Sequence, residues 1–282
     1  MSTARRNLKH LAKNAFWSAV PLAVRKRAAL GISRAGVLSH ANRLRLSMLA
    51  VGDLAERDNS AFHKFLWSHH LAYAIYYAAD ERFRDPIETS RVELFADLQR
   101  HLRELRVEPS DVDSILDVGS SIGNNLRYLE EHVFRSASVL HGIDIDHPAV
   151  ADGSRYLASI GSRIELKAGD MEDLDGILLG DRRYDVVFCA GVLLYLDEQR
   201  AASVVRSMLQ RANVLCAFAT PAHAAFDNRL LEGSETRAWD MSHVHNVDAM
   251  VAAVGGHVVA RRWEPGTLDG RQTIYFVFAR PD

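Results

Sequence analysis

The run Asp117-Val118-Gly119-Ser120-Ser121-Ile122-Gly123 closes a short apolar stretch, SILDVG, and leads at once into NNLRYLEEHV, whose apolar spacing is helical. A tight turn there exposes main-chain N–H groups. Glycines at 119 and 123 let a ligand approach the backbone, and the start of the following helix favours an anionic group such as a carboxylate. An ordinary strand-to-helix turn has the same outline, so further residues must decide. Asp144 lies twenty-one positions beyond Gly123, at the end of LHGIDI. A carboxylate at a strand end accepts both hydroxyls of a ribose, so Asp144 predicts an adenosine-type ligand more firmly than it predicts a reaction. Asp170 closes the next apolar run, in KAGDMEDL, and Tyr184 to Ala190, YDVVFCA, supplies a fourth. Each acidic residue alone is an ordinary cap or solvated turn. Their recurrence at successive strand ends is the informative feature.

The elements that must position these residues alternate. From residue 114 onward, apolar runs (SILDVG, SVLHGIDI, IELKAGD, YDVVFCAG, NVLCAFATP) alternate with helical stretches (NNLRYLEEHV, AVADGSRYLASI, EQRAASVVRSMLQRA). That alternation predicts a doubly wound α/β domain with a mostly parallel sheet and helices on both faces. The end of the chain, GHVVARRWEPGTLDGRQTIYFVFA, reads instead as an antiparallel β-hairpin with a turn-rich connection. Three regions are expected: a basic amphipathic helical segment over 1–52, an aromatic-rich helical cap or lid over 53–110, and a ligand-binding α/β domain over 111–282.

Through LDVGSSIG, GIDID, AGDMEDL and YDVVFCAGVLLYL the sequence resembles the class I S-adenosylmethionine-dependent methyltransferases over roughly residues 114–280. The resemblance implies a seven-stranded sheet with its last strand inserted antiparallel, and S-adenosyl-L-methionine as cofactor. By position it implies that Asp117 and the loop of Gly119, Ser121 and Gly123 hold the methionine portion. Asp144, with Ile145 beside it, would hold the ribose, Asp170 and Met171 the adenine, and Ala190 would line the other side. Ser121 departs from the family, which commonly has a second glycine there. The competing dinucleotide pattern Gly-x-Gly-x-x-Gly, aligned on Gly119, puts Ser121 and Asn124 where its other glycines belong, one match in three.

Methyl transfer from a sulfonium is an in-line displacement in which alignment supplies much of the acceleration, so a general base is optional. For a hydroxyl acceptor, His243 and His245 in DMSHVHNVD are the preferred bases, because they follow the fifth strand on the expected substrate side. Their bland alternative is capping the next helix or bonding to backbone. Tyr73, Tyr76 and Tyr77, in the aromatic stretch 60–83, and Tyr195 are the candidate substrate contacts, or else cover an open edge of the core. The expected acceptor is a small molecule, a glycan or a lipid-linked intermediate, methylated at oxygen. RNA or protein methylation and cofactor binding without catalysis remain the alternatives. No metal site is expected, since His63, His69, His70 and His223 lack ligand spacing.

Charge is asymmetric: the first 52 residues carry ten Lys and Arg and no acidic residue, whereas the rest carries 24 basic against 36 acidic residues. Residues 5–19 pattern as a basic amphipathic helix, which suits packing on the chain's own body, peripheral contact with an anionic membrane surface, an import receptor, or phosphates. Nucleic acid is disfavoured because Phe16 and Trp17 are the only aromatics in that segment. Cys189 and Cys216 sit in apolar runs and read as buried hydrophobes in a reducing compartment. With no apolar run of membrane length and no secretory signal pattern, a cytoplasmic location is expected.

Overall fold

The computed structural model describes residues 15–35, 37–71, 83, 86–178, 181–237, 240–265 and 273–281. Most of the basic helix expected over 5–19, and Tyr73, Tyr76 and Tyr77, lie outside these residues; 15–19 are helical. The chain forms two compact units, 1–77 and 78–282. The division falls within the 53–110 segment read as a cap, so the helix at 89–104 belongs to the α/β unit.

The first unit contains α1 (Leu22–Ser33), α2 (His40–Arg57) and α3 (Asn59–Ser68). Ser39 caps α2 by accepting from Asn42 N, and Asp58 caps α3 by accepting from Ala61 N, which satisfies N–H groups a helix start leaves orphaned. α1 and α2 are joined through buried Arg25, which donates to the Ala50 carbonyl at 2.9 Å and pairs with both carboxylate oxygens of Asp53. The Arg25 guanidinium holds the Asp53 carboxyl below its ordinary range. The first acidic residue of the chain is therefore committed to an internal ion pair.

The second unit begins with α4 (Thr89–Glu104). It continues as β1 (Ser114–Val118), α5 (Asn124–Tyr128), a π-helical turn (Leu129–Val133), β2 (Val139–Asp144), α6 (His147–Ser159), β3 (Ile164–Ala168) and α7 (Leu174–Ile177). Then come β4 (Tyr184–Ala190), α8 (Glu198–Arg211), β5 (Ala212–Thr220), β6 (Glu235–Thr236), β7 (His243–Val244), α9 (Val247–Ala253), β8 (His257–Glu264) and β9 (Ile274–Arg280). The main sheet has seven strands in the order β3-β2-β1-β4-β5-β9-β8. The first five strands are parallel, and β9 pairs antiparallel with both β5 and β8. β6 and β7 form a separate two-stranded ribbon.

Both faces of the sheet are covered, as a parallel sheet requires. On one face α8 and α9 bury Val204, Val205, Met208, Val247 and Val251 against Val187, Cys189, Cys216 and Phe218. On the other, α4 and α6 bury Leu94, Phe95, Leu98 and Leu157 against Phe188, Ala190, Ala217 and Phe276. Burial of each large side chain stabilises by about 1.5–3 kcal/mol. α4 is held further by Arg262 of β8, whose guanidinium reaches Glu93 at 2.9 Å and Asp97 at 3.3 Å. No helix among the described residues is long and apolar enough to cross a membrane.

Candidate functional site

Strand order reverses between β1 and β4, because the chain moves outward from β1 through β2 and β3, then returns to build β4 and β5 on the other side. The crevice at such a switch point opens at the carboxyl ends of the strands, where open α/β sheets bind ligands. Register places the predicted residues there. Asp117 pairs with Gly142 on β2 and Phe188 on β4; Asp144 and Ala190 each lie two residues beyond those partners. Asp144 in turn pairs with Ala168, and Asp170 lies two residues beyond it.

The loop after β1 is built for close approach. Gly119 has φ +90°, and a Cβ there would overlap the Val192 side chain. Ser121 adopts φ +52°, the left-handed conformation that favours glycine. This accounts for its departure from the family pattern: the backbone keeps a glycine-like turn and directs Ser121 N onto Asp144 Oδ2 at 2.7 Å. Asp144 Oδ1 accepts from Asp146 N at 2.8 Å, and Asp146 caps α6 through Ala149 N. The two aspartates of GIDID therefore divide the work, one facing the crevice and one closing a helix. Gly169 N donates to the Asp144 carbonyl at 2.8 Å, which brings the Asp170 turn beside Asp144. Asp170 accepts from Glu172 N and starts the 3-10 turn Met171–Asp173; Ile145 and Met171 are half-buried.

Asp117 is wholly buried, and neither of its carboxylate oxygens has a hydrogen-bond partner. The hydroxyls of Ser120, Ser121 and Thr220 are likewise buried and unpartnered. Leaving a buried polar group unsatisfied costs about 1–3 kcal/mol each. Burial pushes the Asp117 carboxyl well above its ordinary range, the Asp144 charge adds to this, and the Arg91 guanidinium opposes it. Burial likewise raises Asp144, against the main-chain N–H groups of Asp146, Ser121 and Ile145. These residues fit the cofactor implied by the sequence. Asp117 offers an uncompensated carboxylate to an ammonium, the Gly119 turn clears a path along the backbone, and Asp144 retains acceptor capacity for ribose hydroxyls.

Arg91, on α4, had not been singled out from the sequence. Its Nη2 donates to the Ala190 carbonyl at 3.0 Å and occupies the space a side chain at Gly191 would fill. An arginine on the polar side of an amphipathic helix carries no signal in sequence, and only the packing of α4 brings it here. Thr220, at the end of β5, was also missed.

β7 packs against the 3-10 turn Leu193–Tyr195 that follows β4, so Tyr195, His243 and His245 gather on one side of the crevice. The two histidines differ. His245 is wholly buried; its Nε2 donates to the Leu193 carbonyl at 3.1 Å, which leaves Nδ1 to accept from Ser234 Oγ at 2.7 Å. Both ring nitrogens are committed, so His245 anchors the ribbon to the post-β4 turn and has no nitrogen left for a substrate proton. Burial pushes it down to about 4. His243 is also buried, with Nδ1 3.4 Å from Thr236 Oγ1. Burial lowers it too, against the charges of Asp197 and Asp240.

Because the unfolded His245 takes up its proton near 6.5 and the folded one only near 4, protons favour the unfolded chain across that window. Stability should therefore fall by about 3 kcal/mol as pH drops from the upper to the lower value. Urea unfolding across this range should show the loss, and His245→Asn should flatten the slope relative to the parent. An unchanged slope would contradict the assignment.

Residues 115–213 match a family model for a methyltransferase domain. The sequence matches no curated protein. Among solved structures, the fold is similar to a S-adenosylmethionine-dependent methyltransferase from Leishmania major, with TM-score 0.57 and 14% identity over 79% of this chain and 83% of that one. It is also similar to the CcbJ methyltransferase from Streptomyces caelestis, with TM-score 0.50 and 16% identity over 70% of this chain and 90% of that one. A third, a S-adenosylmethionine-dependent methyltransferase from Clostridium acetobutylicum, has TM-score 0.51 and 9% identity over 71% and 95% of the two chains. The family match begins in β1 and runs into the start of β5, so the stretch that carries the ends of β1 to β4 is similar to a methyltransferase domain.

Proposed function

We propose that the chain methylates a small-molecule, glycan or lipid-linked acceptor at oxygen, with His243 as the general base. S-adenosylmethionine supplies the electrophilic methyl group on a sulfonium. Asp117 and the Gly119 turn would hold its amino-acid end, Asp144 its ribose, and Asp170 with Met171 its adenine. The reading is carried by the acidic character of the crevice: Asp117, Asp144, Asp170 and Glu172 stand at the strand ends, with Asp197 at the start of α8. Such an edge disfavours a polyphosphate chain and suits a neutral acceptor beside a cationic methyl donor.

His243 supports oxygen as the acceptor atom. Burial keeps its ring neutral at physiological pH, the state that accepts a hydroxyl proton. Tyr195, half-buried on the turn that packs against β7, supports a role in holding the acceptor. Once an acceptor is found by transfer of a labelled methyl group, His243→Gln should lower kcat by about 10²–10⁴-fold and leave the cofactor KM unchanged. The parent rate should rise with pH to a plateau, with its midpoint below the ordinary histidine value, because burial lowers the base. A variant with full rate would remove His243 from the mechanism.

The first unit supports a lipid-linked acceptor within this class. On α2, Leu46, Met48 and Leu49 are 39%, 40% and 41% exposed, beside exposed Arg45, in a segment of ten basic and no acidic residues. Exposed apolar side chains beside an exposed arginine suit the surface of an anionic bilayer. The full chain should sediment with phosphatidylglycerol vesicles and not with phosphatidylcholine vesicles, and the triple replacement of Leu46, Met48 and Leu49 by Ser should weaken that binding at least tenfold. Equal recovery with both vesicle types, or none with either, would count against the surface.

A further inference from the structure

The amino-acid end of the cofactor carries both an ammonium and a carboxylate, whereas the crevice floor offers acceptors. Asp117 presents an unpartnered carboxylate and Ala190 a main-chain carbonyl at the end of the neighbouring strand. Two acceptors suit the ammonium; nothing in that pair suits the carboxylate, which Asp117 and Asp144 repel. The cation that faces this corner is Arg91, whose charge acts on Asp117 and whose Nη2 already holds the Ala190 carbonyl at 3.0 Å.

The position of Arg91 is built into the fold. Three residues on, α4 is clamped to the sheet by buried Leu94 and Phe95, and the Phe95 ring meets Phe188 edge-on at 5.4 Å. Glu93 is tied to Arg262 of β8. Gly191 has φ +76°, and a Cβ there would overlap the Arg91 guanidinium, so the main chain makes room for this cation. The helix backbone is therefore fixed, while the half-buried side chain has one hydrogen bond to the Ala190 carbonyl.

We propose that Arg91 is an exchangeable cation of the cofactor seat: it occupies the Ala190 carbonyl in place of the ammonium, and yields that acceptor to receive the cofactor's carboxylate. This rests on the adenosylmethionine reading of the site. The exchange conserves charge at the corner, since the incoming ammonium takes over the role of the guanidinium at Ala190 and Asp117. The guanidinium gains a carboxylate it can grip with two parallel N–H groups. Arg91 thus selects for an intact amino-acid end and contributes nothing to holding adenosine.

Calorimetric titration of the full chain with two ligands separates these roles. S-adenosylhomocysteine carries the amino-acid end, and 5′-methylthioadenosine keeps the nucleoside and sulfur without it. Arg91→Gln should weaken S-adenosylhomocysteine by about 10–100-fold and leave methylthioadenosine within about twofold, with Arg91→Lys in between. Thermal melting of each variant establishes that the unit is folded. If both ligands weaken together in the folded variants, Arg91 serves packing; if neither changes, it has no part in the seat. Either result overturns the proposal while parental binding of S-adenosylhomocysteine leaves the methyltransferase reading intact. A parent that binds neither ligand overturns both.

Discussion

The buried carboxylate of Asp117 is the constraint around which the α/β unit is arranged. A carboxyl group taken wholly out of water without a partner costs several kcal/mol unless it is neutralised or later compensated. Everything close to it either raises that cost or prepares to offset it. Asp144 adds a second negative charge, Arg91 opposes both, and the serine and threonine hydroxyls nearby are also unpartnered. Stability is given up at this corner and regained in the apolar layers on either side of the sheet. That distribution is what a preorganised site for a polar, partly cationic ligand requires.

Precision comes from elements some distance from the crevice. The turn after β1 is held from three directions: Gly119 N and Ser120 N donate to the Ile143 carbonyl, Ser121 N to Asp144, and Gly153 of α6 lies against the Ile122 carbonyl so closely that a Cβ would overlap it. Behind this, Glu130 accepts from Arg163 N at 2.9 Å, Ser162 Oγ at 2.7 Å and Arg127 Nη1 at 2.7 Å, tying the π-helical turn to the start of β3. These donors hold the Glu130 carboxyl below its ordinary range although burial pulls the other way. On the far side, His245 fixes the ribbon to the Leu193 turn. The crevice is thus framed by rigid supports on both of its flanks.

The parallel sheet was legible because its strands are buried on both faces and so read as short continuous apolar runs, separated by helices of a different period. The strand-end aspartates were legible for the same reason: once the runs were placed, Asp117, Asp144 and Asp170 had to fall on one edge. The turn residues added Gly119 and Gly123. What the pattern lacked was anything set by packing between distant segments. Arg91 precedes Asp117 by twenty-six positions and reaches it only because Leu94 and Phe95 dock α4 onto the sheet. His243 and His245 looked equivalent, and the Leu193 carbonyl and Ser234 are what commit both ring nitrogens of His245. The β6–β7 ribbon, with two residues in each strand, is too short to leave a periodic signal.

The central claim, that this edge seats S-adenosylmethionine, is tested most directly by titrating the purified chain calorimetrically with S-adenosylmethionine and with NADH, and repeating both on Asp144→Ala after confirming by melting that the variant is folded. The account predicts micromolar binding of S-adenosylmethionine, at least a hundredfold loss in the variant, and no binding of NADH. Binding that survives the substitution, or a preference for NADH, would contradict it.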